Sequence, residues 1–151
     1  WGRKCLGYSF WGAPGRVVRP RVAPAALAEM KNRVRAITSR TGGRSMKAVA
    51  EELRRYLTGW KQYFQLAETP GIFQGLDEWL RRRVRAVQLK QWKRGTTTYR
   101  ELRNRDVPDC VACAVAAHAT RWWAMSAHGG MQTALPNSYF DRLGVPRLCR
   151  R

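Results

Sequence analysis

Apolar residues recur along most of this chain at the three-to-four-residue spacing of a helix, and only its opening stretch departs from that rhythm. The clearest run is Met46, Val49, Leu53, Tyr56, Leu57, Trp60 and Phe64, which on a helical wheel fall within an arc of about 100°. Ser45 stands just before it and can cap it. A preceding helix is predicted from Pro24, a residue suited to a first helical position, with Leu27, Met30, Val34 and Ile37 on one face. Thr41-Gly42-Gly43 breaks the two apart. A third helix is predicted from about Ile72 to Lys93, after the interruption at Thr69-Pro70-Gly71, with Phe73, Leu76, Leu80, Val84 and Val87 inward. Three helices with short connections imply a compact bundle.

The flanks carry weaker patterns. Residues 3–22 read as two short strands, Cys5 to Phe10 and the stretch around Val17 and Val18, joined by a turn at Pro14-Gly15. Two strands alone are marginal, so this hairpin is expected to complete a sheet lying mostly upstream. The chain opens on Trp1 rather than Met, which fits a piece of something longer. Past residue 94, a short helix is expected over Tyr99 to Arg105. Another would be capped by Asp109 and run through Ala119. Trp122-Trp123-Ala124-Met125 leads to a break at Gly129-Gly130. A last helix spans about Leu135 to Leu143 and stops at Gly144 with Pro146 beyond. The predicted class is mainly α: a three-helix bundle, a β-hairpin before it, short helices after it.

Charge changes this picture more than size does. The 151 residues include 29 Lys and Arg against 10 Asp and Glu, a formal net charge of +19. A fold so far from neutrality repels itself unless a polyanion neutralises it. Arg outnumbers Lys, and its planar fork suits phosphate and stacks on bases; a GC-rich genome would also raise Arg but would not remove acids. No run of about 18 apolar residues occurs, so no membrane-spanning helix is expected, and without a basic stretch followed by an apolar run no signal peptide is expected either. Cys5, Cys110, Cys113 and Cys149 are too few and scattered for a disulfide scaffold, making a reducing cytosol the default.

Candidate contacts for a polyanion follow from the predicted helices. Lys47, Arg54 and Lys61 repeat every seven residues beside the apolar face of the second helix. On the third, Arg81, Arg85, Gln88 and Trp92 share an arc of about 60°, a quarter-turn from the apolar centre, with Arg82 and Lys93 widening the basic surface. Guanidinium, amide and indole groups together suit phosphate pairing and base stacking. The alternative is a solvated face with Trp92 as local core. If the first reading holds, replacing Arg81 and Arg85 by Ala weakens RNA affinity and flattens its salt dependence.

Catalytic and metal signals are poor. Cys110 and Cys113, with His118 following, resemble the start of a zinc knuckle, but the fourth ligand position holds Trp123 and His128 is misplaced. The two thiols read better as small buried hydrophobes on an Ala-rich helix. The acids are isolated or adjacent on helix, as in Glu51/Glu52 and Asp77/Glu78, and no phosphate-binding loop is present. No catalytic residue and no metal ligand is assigned.

Longer words in the sequence resemble a known family. The run Leu53-Arg54-Arg55-Tyr56-Leu57-Thr58-Gly59-Trp60-Lys61-Gln62-Tyr63-Phe64, then Leu76-Asp77-Glu78-Trp79-Leu80-Arg81-Arg82-Arg83-Val84-Arg85, is similar to the maturase region of group II intron-encoded reverse transcriptases. So are Lys90-Gln91-Trp92-Lys93-Arg94 and Leu135-Pro136-Asn137-Ser138-Tyr139-Phe140-Asp141-Arg142-Leu143-Gly144, while Lys4 to Phe10 resembles the last block of the polymerase palm. Cys5, Pro136 and Trp122-Trp123 depart from the usual pattern, and residues 108–120 match poorly.

The resemblance implies that residues 1–22 end the palm, 24–94 form the helical thumb (domain X), and 95–151 extend it. It implies binding of group II intron RNA in support of splicing and mobility, and a thumb that holds template–primer. An upstream reverse transcriptase domain of the same protein would be a further partner, and a bacterial cytoplasm the location, rather than an organelle. It implies no cofactor in this stretch, with Mg²⁺ confined to the upstream palm and the RNA, no catalytic activity of its own and no endonuclease domain. The rival reading is a generic basic RNA-binding scaffold without intron preference.

Overall fold

The structure is a computed structural model that describes residues 4–5, 7–13, 17–39 and 43–149. Strands β1 (Lys4–Cys5), β2 (Tyr8–Ala13) and β3 (Val17–Val22) form one antiparallel sheet in that order. The expected first strand is therefore two. Gly7, at φ +80°, turns the chain so that Cys5 pairs with Tyr8, a conformation glycine adopts without penalty. Tyr8 faces Val22 and Phe10 faces Pro20, a proline that β3 tolerates because it is an edge strand of the sheet. The turn expected at Pro14-Gly15 and the break at Thr41-Gly42 lie outside the described residues.

The three long helices are α1 (Pro24–Ile37), α2 (Met46–Tyr63) and α3 (Pro70–Gln91). Pro24 opens α1, and the Ser45 hydroxyl accepts from the Ala48 N–H at 3.3 Å to cap α2. Met30, Val34 and Ile37 of α1 and Val49, Leu53, Leu57 and Trp60 of α2 meet Leu76, Leu80 and Val84 of α3 in one core. The sheet is fastened to the end of α2. Tyr8 packs on Phe64 with ring centroids 5.1 Å apart, the Glu68 N–H donates to the Pro20 carbonyl at 2.9 Å, and Val22 joins the core.

Five short helices follow: α4 (Gly95–Arg103), α5 (Asp109–Ala117), α6 (Trp122–Met125), α7 (Gly129–Ala134) and α8 (Asn137–Arg142). Two expectations are corrected here. Asp109 is the first residue of α5 rather than its cap, and its carboxylate accepts from the Tyr99 hydroxyl of α4. Gly129-Gly130 begins a helix instead of breaking the chain. A Cβ on Gly130 would stand 2.5 Å from Val111 Cγ1, so glycine there lets α7 approach α5. The stop after α8 is as expected, with Gly144 at φ +91°.

Leu102, Val107, Val115, Met131, Leu135, Phe140 and Leu148 extend the same core that α1–α3 begin. The long helix α3 thus lies between the bundle on one side and residues 135–149 on the other.

Candidate nucleic-acid interface

Two faces of α3 decide where the positive charge of this protein is spent. Along the first, Asp77, Arg81 and Arg85 recur every four residues and stack into one row. Arg81 Nη2 donates to Asp141 Oδ1 at 2.7 Å, to the Val145 carbonyl at 3.1 Å and to the Pro146 carbonyl at 3.4 Å. Arg85 donates from Nε to the Leu135 carbonyl at 2.9 Å and from Nη2 to Asn137 Oδ1 at 2.7 Å. The Asp77 carboxylate accepts the N–H groups of Leu148 and Cys149 at 2.8 Å each. This row grips residues 135–149 and satisfies backbone groups that would otherwise be buried bare.

The outward stripe expected of Arg81, Arg85, Gln88 and Trp92 is thereby corrected. All four are buried, Arg81 to 3% exposure, and Trp92 lies in the core with the Arg105 guanidinium 5.3 Å from its ring centroid. Burial pulls the Arg81 and Arg85 pKa values below the ordinary arginine value; Asp141 opposes the shift at Arg81, while Arg81 adds to it at Arg85. Arg82 is half-buried, donating to the Trp123 carbonyl at 3.2 Å with its guanidinium 4.3 Å from the Trp123 ring, which pins α6 to α3. These residues build the fold.

The remaining predicted contacts stay at the surface. Lys47, Arg54 and Lys93 are exposed, and the Arg54 stem lies along Gly144, where a Cβ would sit 3.3 Å from its Cδ. Lys61 is half-buried and donates to the Arg147 carbonyl at 2.6 Å. The heptad stripe of α2 thus runs beside the C-terminal segment, and the structure brings Arg54 and Lys61 to it. Arg33, Arg55, Lys90, Arg94, Arg100, Arg121 and Arg142 are also exposed. None of these, nor Lys47, Arg54 or Lys93, has a carboxylate within ion-pair distance among the described residues.

Sequence reasoning passed over the face of α3 toward α1, where Lys31, Arg35 and Arg83 surround the half-buried Trp79. The available signal was Lys31 and Arg35 four apart on α1 and Trp79 and Arg83 four apart on α3.

Cys110 and Cys113 are exposed on α5, not buried as small hydrophobes, and His118 Nδ1 lies 3.2 Å from the Ala114 carbonyl. Among the described residues no three His, Cys, Asp or Glu side chains gather closely enough to hold a metal ion. No helix of these residues is long and apolar enough to cross a membrane.

A family model described as group II intron, maturase-specific domain matches residues 27–105, which run from α1 through α4. No curated protein sequence matches the chain. The matched region contains the helical bundle, the heptad stripe of α2 and the two-faced helix α3, and it covers just over half of the chain. By that match this basic helical protein belongs to the group II intron maturase-specific domain family.

Proposed function

We propose that this chain is the RNA-binding part of a group II intron reverse transcriptase, helping the intron RNA reach its splicing-competent fold and supporting mobility. In this reading residues 1–22 close the polymerase palm, 24–94 form the thumb that cradles template–primer, and 95–151 extend it. The chain contributes no chemistry and no cofactor. Mg²⁺ and polymerase activity belong to the upstream reverse transcriptase domain, and a bacterial cytoplasm, reducing enough for the thiols of Cys110 and Cys113, is its setting.

The observation that carries the reading is charge left over after folding. A maturase-family bundle with a net charge of +19 keeps Lys47, Arg54, Lys90 and Arg142 exposed without carboxylate partners among the described residues. Such cations displace condensed counterions from an RNA backbone and gain affinity by releasing them. Aromatic rings at the surface add stacking on unpaired bases.

Competition tests this. A labelled group II intron RNA bound to the protein is challenged with bulk transfer RNA across a salt series. Retained intron binding in transfer RNA excess, with affinity falling steeply as salt rises, is the expected result. Equal displacement by either RNA would leave only a generic basic scaffold, and primer extension by this chain with Mg²⁺ would overturn the division of labour with the upstream domain.

A further inference from the structure

We infer that the seam between α1 and α3, built from Lys31, Arg35, Trp79, Arg83 and Lys90, is a docking strip for the phosphate backbone of an RNA strand. The inference rests on the RNA-binding reading above and assigns it a face that lies apart from the heptad stripe of α2.

Lys31 Nζ lies 5.9 Å from the centroid of the Trp79 ring, the Arg35 guanidinium carbon 5.8 Å and the Arg83 guanidinium carbon 5.9 Å. No two of these charges can be further apart than twice that radius. Each cation–ring contact is near the limit of about 6 Å at which the attraction counts, so the indole organises the three cations more than it neutralises them.

Arg35 and Arg83 both donate to neutral acceptors. Arg35 Nη1 donates to Asn32 Oδ1 at 2.8 Å, while Arg83 donates from Nε to Thr38 Oγ1 at 2.5 Å and from Nη2 to the Arg35 carbonyl at 3.4 Å. These bonds aim the guanidiniums without removing their charge. Neither Lys31 nor Arg35 has a carboxylate within ion-pair distance among the described residues. On the other face of α3, Arg81 is answered by Asp141 and buried.

The strip also has length. Beyond Arg83 a small recess lined by Thr38, Arg83, Ala86, Val87, Lys90 and Trp122 continues along the same two helices to the exposed Lys90. Cations held close together on one seam, with Lys31 and Arg35 unanswered by a carboxylate among the described residues, match a ligand that brings a regular series of singly charged anions. A nucleic acid strand is such a ligand, and the bidentate arginine fork fits its phosphate oxygens.

The test uses the full chain and a labelled oligouridylate, titrated over a sodium chloride series. The seam variant carries Lys31→Gln with Arg35→Gln; a second variant, Arg55→Gln with Arg100→Gln, removes equal charge from exposed positions elsewhere. With matched circular dichroism and melting, the seam variant should bind roughly ten-fold more weakly. Its salt slope should be shallower by about 1.4, the share of two phosphate contacts on a single strand. The second variant should change affinity less than about two-fold.

Equal losses in both variants, or an unchanged seam variant, would overturn the strip while leaving RNA binding itself in place. If the unaltered protein fails to bind the oligouridylate with any salt dependence, the RNA-binding reading falls and the strip with it. Photocrosslinking of a thiouridine-containing strand to the unaltered protein gives an independent readout that no folding defect can mimic. Crosslinks in residues 31–35 and 79–90 support the strip; their absence from both stretches overturns it.

Discussion

Moving a guanidinium from water into a packed interface is costly, and Arg81 offsets part of that cost with three acceptors for Nη2 from the C-terminal segment, while its Nη1 is buried without one. Removing one partner of such a pair leaves the other short of compensation. Arg81→Ala should therefore lower unfolding stability by about 3 kcal/mol in urea denaturation, moderated because Arg147 still holds Asp141. Arg81→Met, which keeps the volume, should cost less. In both, the protein that remains folded should bind RNA as before, since the lost group never faced solvent. Arginine stays protonated across the accessible range, so its lowered pKa is a fixed cost below that pKa and gives stability no pH dependence near neutrality.

Tyr99 behaves differently. Its hydrogen bond to Asp109, aided by partial burial, raises its pKa above the ordinary value of 10.0. The folded state holds this proton more tightly than the unfolded chain does. The contact therefore stabilises α4 against α5 fully below pH 10.0 and loses that effect as pH climbs through the raised value. In an alkaline titration followed by tyrosinate absorbance, Tyr99→Phe should delete one late-ionising phenol and leave Tyr8 and Tyr56, which burial also raises.

At the scale of elements, α3 is the hinge of the architecture, because it presents apolar residues to the bundle and a polar row to residues 135–149. Asp77 ends that row by accepting two backbone N–H groups, a task usually given to a helix cap. Asp77→Ala should speed hydrogen exchange at Leu148 and Cys149 while leaving the amides of α2 protected. Close approach of short helices is the second device. Gly130→Ala would drive a methyl toward Val111 and should lower the melting temperature by an amount equivalent to about 1–3 kcal/mol, the usual penalty of overpacking.

The long helices were legible because each has a strong apolar period and clear punctuation in Pro24, Ser45 and Pro70. The role of Arg81 and Arg85 was not. Most of their partners are carbonyls and an Asp 50–65 residues away, and a backbone carbonyl leaves no trace in a sequence. A cationic row looks the same on paper whether it meets phosphate or the protein's own chain. The hint lay in two of the words that resemble the family, since Asn137 and Asp141 in one answer Arg85 and Arg81 in the other.

For the whole molecule, internal use of Arg81 and Arg85 leaves the excess positive charge on a surface that still repels itself. Sodium chloride should therefore stabilise the free protein, with the thermal midpoint rising from low to moderate salt, while the same addition weakens RNA binding. Opposite responses to one variable separate charge that strains the fold from charge that serves a ligand. A midpoint that falls with salt would show that ion pairs such as Arg19–Glu68 and Arg105–Glu101 dominate instead.

The row on α3 also orders events during synthesis. Arg81 and Arg85 leave the ribosome well before Leu135, Asn137 and Asp141, so the nascent bundle emerges with one flank hydrated and unfilled. Only when residues 135–149 clear the exit tunnel can that flank close, so the fold of the bundle waits on a segment made well after its own helices. A transcript interrupted shortly before Leu135 would release a protein whose two innermost cations sit open to any passing polyanion.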